Sequence, residues 1–264
     1  SAGEQLEKLM EKRYLLFSRS SYIGAHRYGG IWTGDNHSSW ENLRMAVHQM
    51  PSLNMCGFLY IGTDIGGFGG NCSRELLLRW LALGVFTPLM RDHTAKGTRR
   101  QECYRYWFKR DFRTVVGLRY RLLPYLYSEY MKAAIRGKLY FRPLSFDFPE
   151  DAEAAQVEDQ LLVGESIMIT PLLEKGKRKR TVYLPEDMTK VLYDGSFHTS
   201  CLERGYHEIH ARTNQVVFFI RKDCLVPIAE GAEHAEAVDM ENVTLLGDGS
   251  CYQQYLDDGQ TKDY

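Results

Sequence analysis

Two kinds of hydrophobic pattern occupy this chain, and one gives way to the other near Tyr140. Before that point, short apolar runs alternate with amphipathic stretches. Residues 14–18 (Tyr-Leu-Leu-Phe-Ser) and 57–62 (Gly-Phe-Leu-Tyr-Ile-Gly) have the continuous apolar pattern of buried strands. Between them, Trp40, Leu43, Val47 and Met50 recur at helical spacing, so a helix is expected from about residue 36 or 37 to residue 50. Ser38 or Ser39 would cap it, Glu41 lies in its first turn, and Pro51 marks its end. Residues 73–86 form the next predicted helix, capped by Asn71 or Ser73. Residues 88–90 form a very short strand, and residues 112–135 a long apolar and basic helix. Residues 4–11 read as the end of a helix. Strands followed by helices, repeated, predict parallel βα units. About four can be counted, whereas a closed barrel takes eight.

After Tyr140 the pattern becomes one of strands. Alternating or β-branched runs recur at residues 166–170, 181–184, 190–193, 207–211, 216–220, 243–246 and 251–256. Turn signals separate them, among them Asp194-Gly195, Thr213-Asn214 and Gly247-Asp248-Gly249. This pattern predicts an antiparallel β-sandwich.

Composition narrows the function classes. The 264 residues carry a formal net charge of -1, so nothing suggests a polyanionic partner. The one basic run, Lys175 to Arg180, precedes Thr181-Val182-Tyr183 and reads as a solvated hairpin or loop rather than a nucleic-acid contact. The six cysteines form no CxxC pair and have no histidine cluster beside them. They read as free, mostly buried thiols in a reducing, cytoplasmic setting, with no metal and no cofactor implied. No segment is long and apolar enough to span a membrane. The chain opens on Ser1-Ala2-Gly3 without a methionine, as an excised or processed piece would.

The polar residues of interest, Arg19, Asp35, Asp64, Arg91 and His93, all follow apolar strand candidates. In a βα barrel that is the end where active sites are built. Trp32-Thr33-Gly34-Asp35-Asn36 stands out because it sets a carboxylate among an aromatic plate and a flexible glycine. An acid catalyst acting on a sugar needs these parts: a carboxyl to protonate the leaving oxygen, and an indole to cover sugar C–H surface and dry the site. Taken alone, Asp35 reads equally as a cap of the following helix, Asp64 as a structural acceptor in a glycine turn, and His93 as a structural histidine. Phe68 divides evenly between lining a pocket and packing. The loop Gly66-Gly67-Phe68-Gly69-Gly70 lacks the Lys-Ser/Thr of a phosphate loop and the spacing of a dinucleotide fingerprint, and no GxSxG elbow occurs.

Several ordered stretches resemble glycoside hydrolase family 31, the α-glucosidase and α-xylosidase family. They are Phe17-Ser18-Arg19-Ser20 through Trp32-Thr33-Gly34-Asp35-Asn36, Gly62-Thr63-Asp64-Ile65-Gly66-Gly67-Phe68, and Phe86-Thr87-Pro88-Leu89-Met90-Arg91-Asp92-His93. Tyr120 to Ser128, Arg142-Pro143-Leu144 and Tyr255-Leu256-Asp257-Asp258-Gly259 continue the likeness over nearly the whole chain, which looks closest to bacterial intracellular α-glucosidases. The resemblance implies the C-terminal half of a (β/α)8 barrel over residues 1–139. A β-sandwich follows over residues 140–244, and a truncated distal β domain opens over residues 245–264. It implies that Asp35 is the general acid/base, and that Arg19, Trp32, Asp64, Phe68 and His93 hold the substrate, with Asp64 also holding Arg19. Arg91 becomes a structural ion-pair partner. The substrate expected is a terminal α-glucoside of an oligosaccharide. The family's nucleophile lies in a Trp-x-Asp-Met-Asn-Glu motif that this sequence does not contain, so it is expected before residue 1. The missing half of the barrel, or a second copy of the chain, is then the expected protein partner. An α-xylosidase, or a non-catalytic sugar-binding or assembly module, are the alternatives.

Overall fold

The computed structural model describes residues 2–261. Ser1 and the last three residues of the segment assigned to a distal domain lie outside them. The first half runs α1 (Ala2–Met10), β1 (Phe17–Ser18), β2 (Gly30–Ile31), α2 (Trp40–Met55), β3 (Asp64–Ile65), α3 (Arg74–Gly84), β4 (Arg91–Asp92) and α4 (Lys109–Arg136). Strand β1 pairs parallel with β2, and β3 with β4. Residues 60–62 join the two pairs, because Ile31 N–H donates to Tyr60 O (3.1 Å) and Thr33 N–H to Gly62 O (3.1 Å), while Leu89 N–H donates to Ile61 O (3.0 Å). Four parallel segments therefore stand side by side, in the order 16–18, 30–33, 60–65 and 89–92.

Two expectations about these elements are corrected. Residues 14–18 do not form a buried strand: Leu15 is 62% exposed and Phe17 41%, and only β2 pairs with β1 among the described residues. An edge segment with one neighbour leaves one of its sides open. Pro51 does not end α2 either. It lies inside the helix and is buried on the face formed by Leu43, Ala46, Val47 and Met50. One lost i→i−4 bond is tolerated there because the ring packs into the core. The helix stops instead at Gly57, whose φ of +91° is the left-handed conformation that closes helix ends. At its other end Ser39 accepts from Asn42 N–H, and Ser73 caps α3 by accepting from Leu76 N–H, both among the caps anticipated.

The second half continues as β5 (Phe141–Pro143), α5 (Leu144–Asp147), β6 (Leu161–Val163), β7 (Ile167–Ile169), β8 (Lys179–Leu184), β9 (Met188–Tyr193), β10 (Phe197–Leu202), β11 (Gly205–His210), β12 (Val216–Arg221), β13 (Leu225–Ile228) and β14 (Thr244–Gly247). Six strands form one antiparallel sheet in the order β10-β9-β12-β7-β6-β5, and β8 and β11 form a separate antiparallel pair. The pleat sends alternate residues to two cores. Leu162, Met168 and Phe219 pack with Val182, Leu184 and Ile209 of β8 and β11. Leu161, Val163, Ile167, Ile169, Phe218 and Ile220 face the other way, into a core shared with Trp80 of α3 and Leu118, Leu122 and Tyr125 of α4. Residues 175–178 of the basic run are an exposed loop leading into β8.

Residues 251–256 are not a strand. They run along α4, where Tyr252 donates to Glu129 Oε1 (2.7 Å) and Tyr255 N–H donates to Ser128 Oγ (3.0 Å). The thiols are also more open than expected: only Cys72 is buried, whereas Cys56, Cys201 and Cys251 are exposed.

Candidate active site

The four parallel segments end on the same side, and every residue anticipated for the site lies at that end. Arg19 follows β1, Asp35 follows β2 by four residues, Asp64 opens β3, and His93 follows β4. Gly34, at φ +84°, turns the chain just before Asp35. The carboxylate that results is exposed, and Arg19 Nη2 lies 3.4 Å from its Oδ2. The Arg19 side chain is 68% exposed and that of Asp35 39%, so this pair adds only about 0–1 kcal/mol of stability. Its interest is chemical: an acid and a cation stand together at the mouth of a sheet.

Behind them lies a buried pair. The Asp64 side chain is 0% exposed, and its Oδ1 accepts from Arg91 Nη2 (2.7 Å) and Nε (2.9 Å). Burial raises the Asp64 carboxyl above its ordinary range, Arg91 and His93 oppose that rise, and the charge of Asp35 adds to it. Asp64 therefore holds Arg91 rather than Arg19, which pairs with Asp35 instead. The structural ion-pair role expected of Arg91 is the one observed. The Arg91 guanidinium also lies 4.9 Å from the Trp32 ring centroid and 5.3 Å from that of Phe17, and those two rings meet edge to face at 5.7 Å. Phe68 and His93 stack on one another, with centroids 5.2 Å apart. His93 is exposed, Phe68 half-buried.

Two residues that sequence reasoning passed over complete the arrangement. Asn36 fastens the acid's turn to the glycine loop: its Nδ2 donates to Asp64 O (3.1 Å), its Oδ1 accepts from Phe68 N–H (2.8 Å), and its backbone O accepts from Gly69 N–H (2.9 Å). Gly67, at φ +93°, lies so close to the backbone of His37 and Ser38 that a Cβ would collide with it. The signal for Asn36 was its place beside Asp35, since a short amide bonds readily to a neighbouring loop. The second residue is Asp92, whose carboxyl burial pushes up to about 7, with Glu102 adding to the rise and the Cys103 backbone opposing it. Asp92 Oδ1, Asp64 Oδ2 and Trp32 Nε1 are buried side-chain atoms without a hydrogen-bond partner among the described residues. Nothing in the sequence distinguishes Asp92 from an ordinary surface aspartate.

Comparison with known proteins places this geometry in context. Residues 2–129 match the glycosyl hydrolases family 31 TIM-barrel domain, and residues 137–226 match the glycosyl hydrolase family 31 C-terminal domain. Alpha-glucosidase 2 of Bacillus thermoamyloliquefaciens is 34% identical over 267 residues, covering 98% of this chain and 33% of its own length. The lysosomal alpha-glucosidase of Bos taurus is 44% identical over 183 residues, covering 69% of this chain and 20% of its own. Among solved structures, the Flavobacterium johnsoniae GH31 dextranase complexed with glucose superposes with a TM-score of 0.84 at 27% identity, over 99% of this chain and 34% of that one. The chain thus spans about a fifth to a third of the length of the curated relatives it matches.

Proposed function

The chain belongs to glycosyl hydrolase family 31, and on that premise we propose that it carries the acid/base side of a retaining, exo-acting α-glucosidase active site. Asp35 protonates the glycosidic oxygen and then takes a proton from the incoming water. Arg19 orients the Asp35 carboxyl and offers its remaining N–H groups to substrate hydroxyls. Trp32 and Phe68 are the apolar walls, and His93 donates to a glucosyl hydroxyl. Asp64, locked to Arg91, forms the floor. It is no candidate for the nucleophile, because one oxygen is committed to Arg91 and burial disfavours its ionised form. The nucleophilic carboxylate comes from the first half of the barrel, which residues 1–139 complete. Residues 140–244 brace that half as the sandwich domain, and residues 245–264 open a further β domain. The substrate is an α-glucoside oligosaccharide. The free thiols favour the cytoplasm as the compartment, and no helix among the described residues is long and apolar enough to cross a membrane.

The observation that carries this proposal is the gathering of the Asp35–Arg19 pair and the Asp64–Arg91 pair, with Trp32 against Arg91, at one end of four parallel segments. Assembly is a part of the same function rather than a rival to it: Leu15, Phe17, Tyr22 and Ile23 leave an apolar edge exposed on β1 and the segments on either side of it, where the preceding half-barrel would seat. The purified chain is expected to show no turnover of p-nitrophenyl α-glucoside. Hydrolysis by the chain alone, abolished by Asp35→Asn, would overturn the assignment of the nucleophile to another part of the barrel.

A further inference from the structure

Two of the stretches that carry the family likeness stand outside the site: Tyr120 to Ser128, and Tyr255-Leu256-Asp257-Asp258-Gly259. The fold brings them together, because residues 251–260 lie along α4. The contact has a buried centre. Glu129, only 2% exposed, accepts at Oε1 from the Tyr252 hydroxyl (2.7 Å) and Lys132 Nζ (2.8 Å), and at Oε2 from Glu165 N–H (2.8 Å). A buried carboxylate is thus paired with a cation and with two further donors. Beyond it, Asp257 joins three parts of the chain. Its Oδ1 accepts from the Tyr127 hydroxyl of α4 (2.8 Å) and its Oδ2 from Arg13 Nη1 (2.6 Å). Arg13 Nη1 also donates to the Tyr127 hydroxyl (3.3 Å), and Arg13 N–H donates to Gln260 O (2.9 Å). The side chains of Arg13 and Asp257 are 19% and 10% exposed, so solvent screens this pair less than it screens Arg19–Asp35.

Arg13 stands four residues before β1, and Arg19 directly after it. Strand β1 is two residues long and has β2 as its one partner among the described residues. The bond from Gly30 N–H to Leu16 O (2.8 Å) extends that pairing by one residue. An edge segment with so few ladder bonds frays unless its ends are fastened. Here an arginine–aspartate pair fastens each end, Arg13–Asp257 at the entry and Arg19–Asp35 at the exit. We propose that Asp257 is a positioning residue for the active site: through Arg13 it fixes β1, and with β1 the place of Arg19 beside Asp35. The proposal rests on the roles given above to Arg19 and Asp35. It also gives the stretches at Tyr127 and Asp257 a task, as the two halves of one clasp.

Two measurements test it. In the 264-residue chain, Asp257→Asn should speed amide hydrogen exchange at Gly30, whose N–H reports the attachment of β1, by about tenfold, with the amides of β9 and β12 unchanged. Arg13→Gln should do the same, and the double variant no more than either alone. In the enzyme that carries this chain together with the first half of its barrel, Asp257→Asn should lower kcat/KM for maltose by about tenfold, but by less than about twofold once Arg19 is replaced by alanine. Unchanged exchange at Gly30, or an equal rise in β9 and β12, overturns the clasp. Equal losses of kcat/KM in the two backgrounds overturn the link to Arg19, since a purely structural brace acts whether or not Arg19 is present. An Arg19→Ala enzyme as active as the parent refutes the role given to Arg19 and the link with it, while the exchange at Gly30 still decides whether Asp257 holds β1.

Discussion

Two carboxylates flank Arg91, and only one of them has it. Asp64 takes both N–H contacts from the guanidinium, while Asp92, the next residue along the chain, points into a half-buried setting near Glu102. A folded carboxyl held up at about 7, against an ordinary value near 4, binds more protons than its unfolded counterpart between those two pH values. Stability contributed through Asp92 is therefore present below pH 4 and is lost as pH rises through about 7. Asp92→Asn removes that loss. The variant should melt with the parent at pH 4 and above it at pH 8, as thermal scans across this range would show. Coincident curves at pH 8 would mean that Asp92 ionises freely. Asn36 is the other residue whose role rests on neighbours rather than on its own chemistry, since it binds the turn of Asp35 to the loop of Phe68. Beyond the place of Asn36 beside Asp35, neither role was legible in the sequence, for the same reason: burial and loop-to-loop contact are properties of the assembled site.

At the scale of elements, the reading of the sequence succeeded where periodicity was long and failed where a single residue decided. The spacing of Leu43, Val47 and Met50 located α2, and Ser39 and Ser73 were recognisable caps. Pro51 was misleading, because the sequence does not say that its ring would be buried while Gly57 took the helix end. Strands of three residues, such as β5 and β6, are too short to alternate visibly, and residues 251–256 carry a strand's pattern because they cover α4. Asn54 shows how such elements are joined. Its Nδ2 donates to Phe58 O (2.8 Å), and its Oδ1 accepts from Phe141 N–H (2.6 Å), so one buried amide links α2, the chain leading into the third parallel segment and β5. Asn54→Ala strands two buried backbone groups and should cost about 2–4 kcal/mol in denaturant unfolding. A loss below about 0.5 kcal/mol would show that water reaches those groups.

At the scale of the whole molecule, the barrel half and the sandwich share one core, in which Phe218 and Ile220 of the sheet join Leu118 and Leu122 of α4. Tyr125 reinforces the joint by donating to Val163 O (2.6 Å) and accepting from Ser166 N–H (2.9 Å). The division near residue 140 that the hydrophobic pattern suggests is thus a change of architecture rather than a seam. Calorimetry should record one cooperative transition for the chain, and two separated transitions would contradict a shared core. The site has the opposite character: it is open at one edge and holds one exposed acid. Its central assignment, Asp35 as acid/base, is tested most directly in the enzyme carrying this chain together with the first half of its barrel. Asp35→Ala should lower kcat/KM for maltose, whose leaving alcohol needs a proton, by about 10²- to 10⁴-fold. α-Glucosyl fluoride, whose leaving group needs none, should keep its glycosylation rate within about tenfold. An equal fall for both substrates, or no fall for maltose, would contradict the assignment.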